Sequence, residues 1–108
     1  MKTPEKLCWV YMTAGSIEEA KSIGQILVGQ NLAACVNLFE NMTSIYNWED
    51  KLEEGKEVVM IAKTRQEFMV KLIETVKNNH SYDCPCILEL PIQGGNPDFL
   101  SWIERQTA

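Results

Sequence analysis

VVMIAKT, residues 58–64, is apolar on both of its sides. Side chains of an extended chain alternate, so Val58, Met60 and Ala62 point one way while Val59 and Ile61 point the other. An antiparallel sheet with one solvated face should alternate apolar with polar residues. This strand does not. LCWVYM, residues 7–12, repeats the pattern, with apolar or aromatic side chains in both sets. A sheet built from such strands has two faces to keep from water.

Around these strands, strand and helix signals alternate. LCWVYMT at 7–13 is short, aromatic and apolar, as a buried strand is. Ser16 then stands three residues before Glu19, the capping-box spacing in which each side chain can satisfy the other's free N–H. Ala20, Ile23, Gly24 and Leu27 recur on one helical face, and residues 29–31 supply the stop. LAACVNLF at 32–39 is a second strand, and SIYNWEDKLEEGKE at 44–57 is a polar hairpin extension, bearing aromatics, that leads into the third strand at 58–64. Thr64 and Glu67 repeat the capping spacing, and Met69, Leu72, Ile73 and Val76 share a face of a second helix that runs to about Lys77. CILELPI at 86–92 is a fourth strand. Asn96 as N-cap and Pro97 at the first helical position open a closing helix through Leu100, Trp102 and Ile103.

The order β-α-β-β-α-β plus a C-terminal helix predicts a ferredoxin-like α+β sandwich, two helices on one face of a four-stranded antiparallel sheet, as a single domain over 1–108. Only one short helix remains to cover the second apolar face. The cheapest cover is another copy of the chain, so the sequence predicts a homo-oligomer.

Composition narrows the function classes. The chain has 108 residues, 45% hydrophobic and 23% charged, enough for one core without staples. A net charge of −5 with no basic stripe argues against nucleic acid. Lys6 is followed by an apolar run too short for a secretory signal, and no stretch is long enough to span a bilayer. A cytoplasmic location without membrane association is expected. There the four cysteines, at 8, 35, 84 and 86, read as free thiols or soft metal ligands.

HSYDCPC, residues 80–86, holds the single histidine and half of the cysteines. Imidazole and thiolate suit zinc or copper, and thiolates favour Cu(I). If the stretch is extended, His80, Tyr82, Cys84 and Cys86 lie on one side, but His80 and Cys84 are then roughly 13 Å apart, too far to share an ion. A turn at 81–83, or a second subunit, would be needed. Cys84 and Cys86 can reach one ion between them. Against that, Cys86 is in phase with Leu88, Leu90 and Ile92, which look like core positions, and free cysteine commonly packs as a small hydrophobe. Pro85 fits the start of an edge strand. The stretch is first a turn into the last strand and second a candidate metal site.

Cys8 and Cys35 sit inside strands and read as packed, inert thiols. Met12 can act as a soft ligand but also fills cores. Nucleophilic catalysis needs an activated nucleophile, a base and a group that orients the base, and one histidine without G-x-S-x-G or C-x-x-C offers none of this. No enzyme activity is expected. QGGNP at 93–97 reads as a turn before a capped helix, with anion binding the sharper alternative. Ser44, Tyr46 and Trp48 share a face of the hairpin, and exposed aromatics on a polar arm suggest contact with a neighbour or a cleft.

LAACVN, then S-x-Y-x-W, then K-T, then H-x-Y-x-x-P, with LPIQGGNPDFLSWI at the end, resembles the CutA divalent-cation tolerance family across essentially the whole chain. The resemblance implies a ferredoxin-like subunit in a homotrimer shaped like the PII signalling trimers, with a role in the response to metal ions, copper in particular. It implies His80 as a metal ligand; taken with the sulfur atoms read from the residues themselves, weak binding of copper or another divalent cation, not required for folding, is expected through His80, helped by Cys84, Cys86 or Met12. In relatives a cysteine stands where this chain has Met12, and in some a second histidine where it has Asn79. Relatives also carry Glu and Gly where it has Cys86 and Asp50. Tyr46, Trp48 and Lys63 resemble the lining of a family cleft between subunits, which supports an alternative: a PII-like module binding a small molecule or a partner's tail there.

Overall fold

The computed structural model describes residues 6–108; the first five residues, part of the N-terminal stretch weighed above as a secretory signal, lie outside it. Its elements run β1 (Leu7–Ala14), α1 (Ile17–Gly29), β2 (Cys35–Trp48), β3 (Lys51–Arg65), a 3-10 turn (Gln66–Phe68), α2 (Met69–Asn79), β4 (Ile87–Pro91) and α3 (Pro97–Gln106). This is an α+β fold with one four-stranded sheet in the order β2-β3-β1-β4, antiparallel at every step.

Local chemistry explains most of these boundaries. Ser16 caps α1, its hydroxyl accepting from the Glu19 N–H at 3.1 Å. Glu19 reaches back one residue further than a capping box requires, to the Gly15 N–H. Asn31 ends the helix in the left-handed region, with φ 58°, which a short polar side chain tolerates. Glu49 and Asp50, with φ 50° and 63°, turn β2 into β3 through a two-residue loop whose twist matches the strands. The register shifts between Phe39 and Met42, where Asn41 has φ 64°, and this bulge re-aims the outer half of the hairpin. The paired arm draws the molecule out to 54 × 25 × 22 Å.

The core lies between the sheet and α1 and α2. Val10, Met12, Met60 and Ala62 pack there against Ala20, Ile23 and Leu27 of α1 and Leu72 and Val76 of α2. Among the described residues nothing covers most of the opposite face. Trp9 is 44% exposed, Phe39 57%, Leu88 58% and Leu90 45%, side chains that a stable monomer would bury. Among the described residues one end alone is sheltered, where Ile103 of α3 packs with Leu7 and Ala34, flanked by Ile92, Leu100 and Trp102. Arg65 ties α3 down, donating to the Thr107 hydroxyl at 2.9 Å and the Glu104 carbonyl at 2.7 Å.

Four expectations are corrected. Residues 32–34 are buried but not strand, because Leu32 and Ala33 turn their N–H groups back onto the Leu27 carbonyl. Thr64 caps no helix; its hydroxyl donates to the Leu32 carbonyl at 2.6 Å, and α2 starts after the 3-10 turn with no side-chain cap. Ile73, placed on the apolar stripe of α2, is exposed. Leu88 and Leu90 are not core positions, because that phase of β4 points to the open face, beside Tyr11 and Trp9.

Candidate functional site

The turn after α2 is built around His80. Its backbone leaves the helix extended, with φ −104° and ψ 145°, and the side chain folds inward until 1% of it is exposed. The Tyr82 N–H donates to Nδ1 at 3.0 Å, so Nδ1 is the acceptor nitrogen. The proton therefore sits on Nε2, which donates to the Thr13 carbonyl at 2.8 Å. Both ring nitrogens are spent on backbone groups. A metal at this ring would displace one of them.

Glu19 secures the other side of the turn. Its carboxylate accepts from the Ser81 N–H at 2.8 Å and the Gly15 N–H at 3.3 Å. Burial pushes this carboxyl up, but the bonds from Ser81 and Gly15 outweigh burial and hold it below its ordinary value. Tyr82 packs on the His80 ring, centroids 4.7 Å apart, and donates to Glu57 at 3.0 Å. Glu57 also accepts from the Ser44 hydroxyl at 2.6 Å. Burial first, and then the Glu57 hydrogen bond and charge, push the Tyr82 phenol up to about 12. The turn is thus bolted to α1, to β1 and to the root of the arm.

All four cysteines are free thiols. Cys84 is exposed and Cys86 half-buried. Burial, and secondarily the charge of Glu57, raises the Cys86 thiol above its ordinary value. Cys8 is fully buried and pushed up to about 12 by burial, with Glu89 adding to it. Cys35 is half-buried on β2. Met12 is fully buried on the helix side of β1, paired with Met60 and Ile87. Among the described residues no three His, Cys, Asp or Glu side chains converge as a metal-binding group.

Tyr46, Trp48 and Lys63 do not meet within one chain. Tyr46 pairs with Glu53 and Trp48 with Lys51 on the arm, whereas Lys63 pairs with Cys35 and Trp9 in mid-sheet. Ten residues of β3 separate Glu53 from Lys63, about 33 Å of strand. The Lys63 amine donates to the Asn37 side chain. Beside it a hollow of about 320 Å³ opens between the sheet and α3, lined by Trp9, Ile92, Gly94, Asn96, Phe99 and Leu100. Sequence reasoning did not find Thr13, Glu57 or this hollow. Glu19 carried a signal, its capping spacing, but Glu57 ended the polar hairpin extension and carried none.

The CutA1 divalent ion tolerance protein model matches residues 8–106, every strand and helix of the fold but for the first residue of β1. The chain belongs to the CutA1 divalent ion tolerance family. The Archaeoglobus fulgidus "Divalent-cation tolerance protein CutA" is 45% identical over 90% of this chain and 94% of that protein. The Arabidopsis thaliana "Protein CutA, chloroplastic" is 40% identical over 91% of this chain, which spans only 54% of that relative's length. The crystal structure of CutA1 from Oryza sativa superimposes with a TM-score of 0.95 at 37% identity, covering 99% of this chain and 98% of that one. CutA1 relatives are thus named for tolerance of divalent cations, not for a reaction. No helix among the described residues is long and apolar enough to cross a membrane.

Proposed function

We infer that the chain is a ferredoxin-like subunit of a cytoplasmic homotrimer that takes part in divalent-cation tolerance, copper included, without catalysing a reaction. The uncovered sheet face carries this reading. Trp9, Tyr11, Leu88 and Leu90 form adjacent pairs on one surface, and α3 is too short to cover it. Burial of apolar area returns roughly 25 cal/mol per Å², so a face of this kind drives self-association. Metal contact is weak and centred on the 80–86 turn. A chain whose histidine already serves two backbone groups offers no strong ready-made chelate.

Sedimentation at micromolar concentration is expected to give three chain masses, and calorimetry is expected to show weak uptake of Cu(II) that does not set the assembly state. A monomer overturns the trimer, and no uptake of any divalent ion overturns direct metal contact.

A second reading has its own observation. The hollow beside Lys63 and the distant aromatics of the arm can form one cleft only if the arm of one copy reaches the sheet of another. In that case the trimer is a PII-like module that takes a small molecule or a partner's tail between subunits. Density beside Tyr46 and Trp48 in a crystal of the assembled protein, without metal at the turn, would favour it.

A further inference from the structure

Two of the four cysteines lie outside every strand and helix, and they are neighbours but for one proline. The backbone bends through residues 81–84 and Pro85 then holds its own φ near −65°, so the two thiols flank one rigid residue. That piece is fixed at both ends. Before it, Ser81 is bonded to Glu19, and Tyr82 to His80 and Glu57. After it, Ile87 begins β4, in register with Met12. A pair held in this way loses little conformational freedom on closing around an ion.

The reach is right for one ion and two sulfurs. Two steps of extended chain set the Cα atoms about 6.6 Å apart. Metal–sulfur bonds of about 2.3 Å place two sulfurs on opposite sides of an ion about 4.6 Å apart, a span that two neighbouring side chains can close to. Among the described residues further ligands are scarce. The His80 ring is spent, Met12 is buried in the helix-side core, and Glu57 already accepts from Ser44 and Tyr82. Zinc seeks four ligands in a tetrahedron, and Cu(II) prefers a nitrogen and oxygen plane. Reduced copper is satisfied by two thiolates in line, and soft sulfur selects it.

We propose that Cys84 and Cys86 form a two-coordinate Cu(I) clamp at the entry to β4, one ion per chain. The clamp rests on the metal-tolerance function inferred above and narrows it to reduced copper. On binding, two S–H bonds are replaced by two S–Cu bonds. Two protons pass to solvent, the dithiolate complex carries a net charge of −1, and no electron is transferred.

Anaerobic titration with Cu(I) against a coloured Cu(I) chelator tests the clamp, using wild type, Cys84→Ser, Cys86→Ser and a Cys35→Ser control. Assembled mass and Cu(II) uptake are read on the same samples. Wild type and Cys35→Ser are expected to take one Cu(I) per chain, with affinity falling about 100-fold in either of the other variants because a hydroxyl is a poor partner for a soft ion. In wild type, one equivalent of Cu(I) is also expected to protect Cys84 and Cys86 from iodoacetamide, as located by peptide mass mapping. Undiminished Cu(I) binding in Cys84→Ser and Cys86→Ser, or protection at other cysteines, overturns the clamp. Absence of Cu(I) uptake in a wild-type trimer that still takes up Cu(II) overturns the clamp and leaves the metal-tolerance reading intact. Loss of Cu(II) uptake in every sample instead counts against the direct divalent-ion contact inferred above, whatever the Cu(I) result.

Discussion

At the level of single residues, the 80–86 turn is held by groups far away in sequence. His80 reaches Thr13 across 67 positions, and Tyr82 reaches Glu57 across 25. Tyr82 makes this hold sensitive to alkali. Its phenol is raised from the ordinary 10.0 to about 12 in the folded chain, by burial and then by Glu57. A raised folded value means the fold favours the protonated phenol. The stability it contributes is therefore complete below pH 10 and is lost as pH rises towards about 12. Urea midpoints measured across that window are expected to fall more steeply for wild type than for Tyr82→Phe, with the two curves converging at the alkaline end. Parallel curves would show that the bond to Glu57 does not couple to folding. Cys8 also titrates near the upper limit, but it is common to both proteins and cancels in the difference.

Among the elements, α3 depends most on one side chain. It packs on the sheet through Ile103 and leans on Arg65, whose guanidinium meets the Thr107 hydroxyl and the Glu104 carbonyl at the C-terminal end of the helix. A cation there also opposes the negative end of the helix dipole. Arg65→Ala is expected to cost about 2 kcal/mol, as the loss of charge-assisted bonds does, and to speed amide exchange in α3 before exchange in β1 or β3. Uniform acceleration across the chain would show that α3 is not separately tethered. The existence of α3 was legible from Asn96 and Pro97, because caps are local chemistry. So were all four strands, α1 and α2, whose periodicities are local too. The partners of Arg65 in α3 were not legible, since Glu104 and Thr107 lie 39 and 42 residues away. The Thr64 cap failed for the same reason, its hydroxyl being claimed by Leu32 across 32 residues. At the candidate site the sequence marked the thiols and the turn, but not that both nitrogens of His80 would be occupied.

For the whole molecule, what matters is which way each strand turns its two apolar sets. The doubly apolar pattern of β1 and β3 was visible in the sequence, yet the facing of β4 was not: Leu88 and Leu90 looked like core and are on the open side. The uncovered surface thereby gains two leucines, which favours assembly. Tyr11 stands between Ile61 and Leu88, and Trp9 between Lys63 and Leu90, so the surface is continuous across three strands. Stable interfaces bury about 800 Å² per partner around a core poor in charge. Placing a carboxylate in that core should prevent closure without disturbing the subunit, since Leu88 is more than half exposed in the single chain. Leu88→Glu is therefore expected to sediment as a monomer while retaining its far-ultraviolet circular dichroism. If Leu88→Glu keeps three chain masses, the copies meet through some other surface, and the open sheet face must be covered by a different partner.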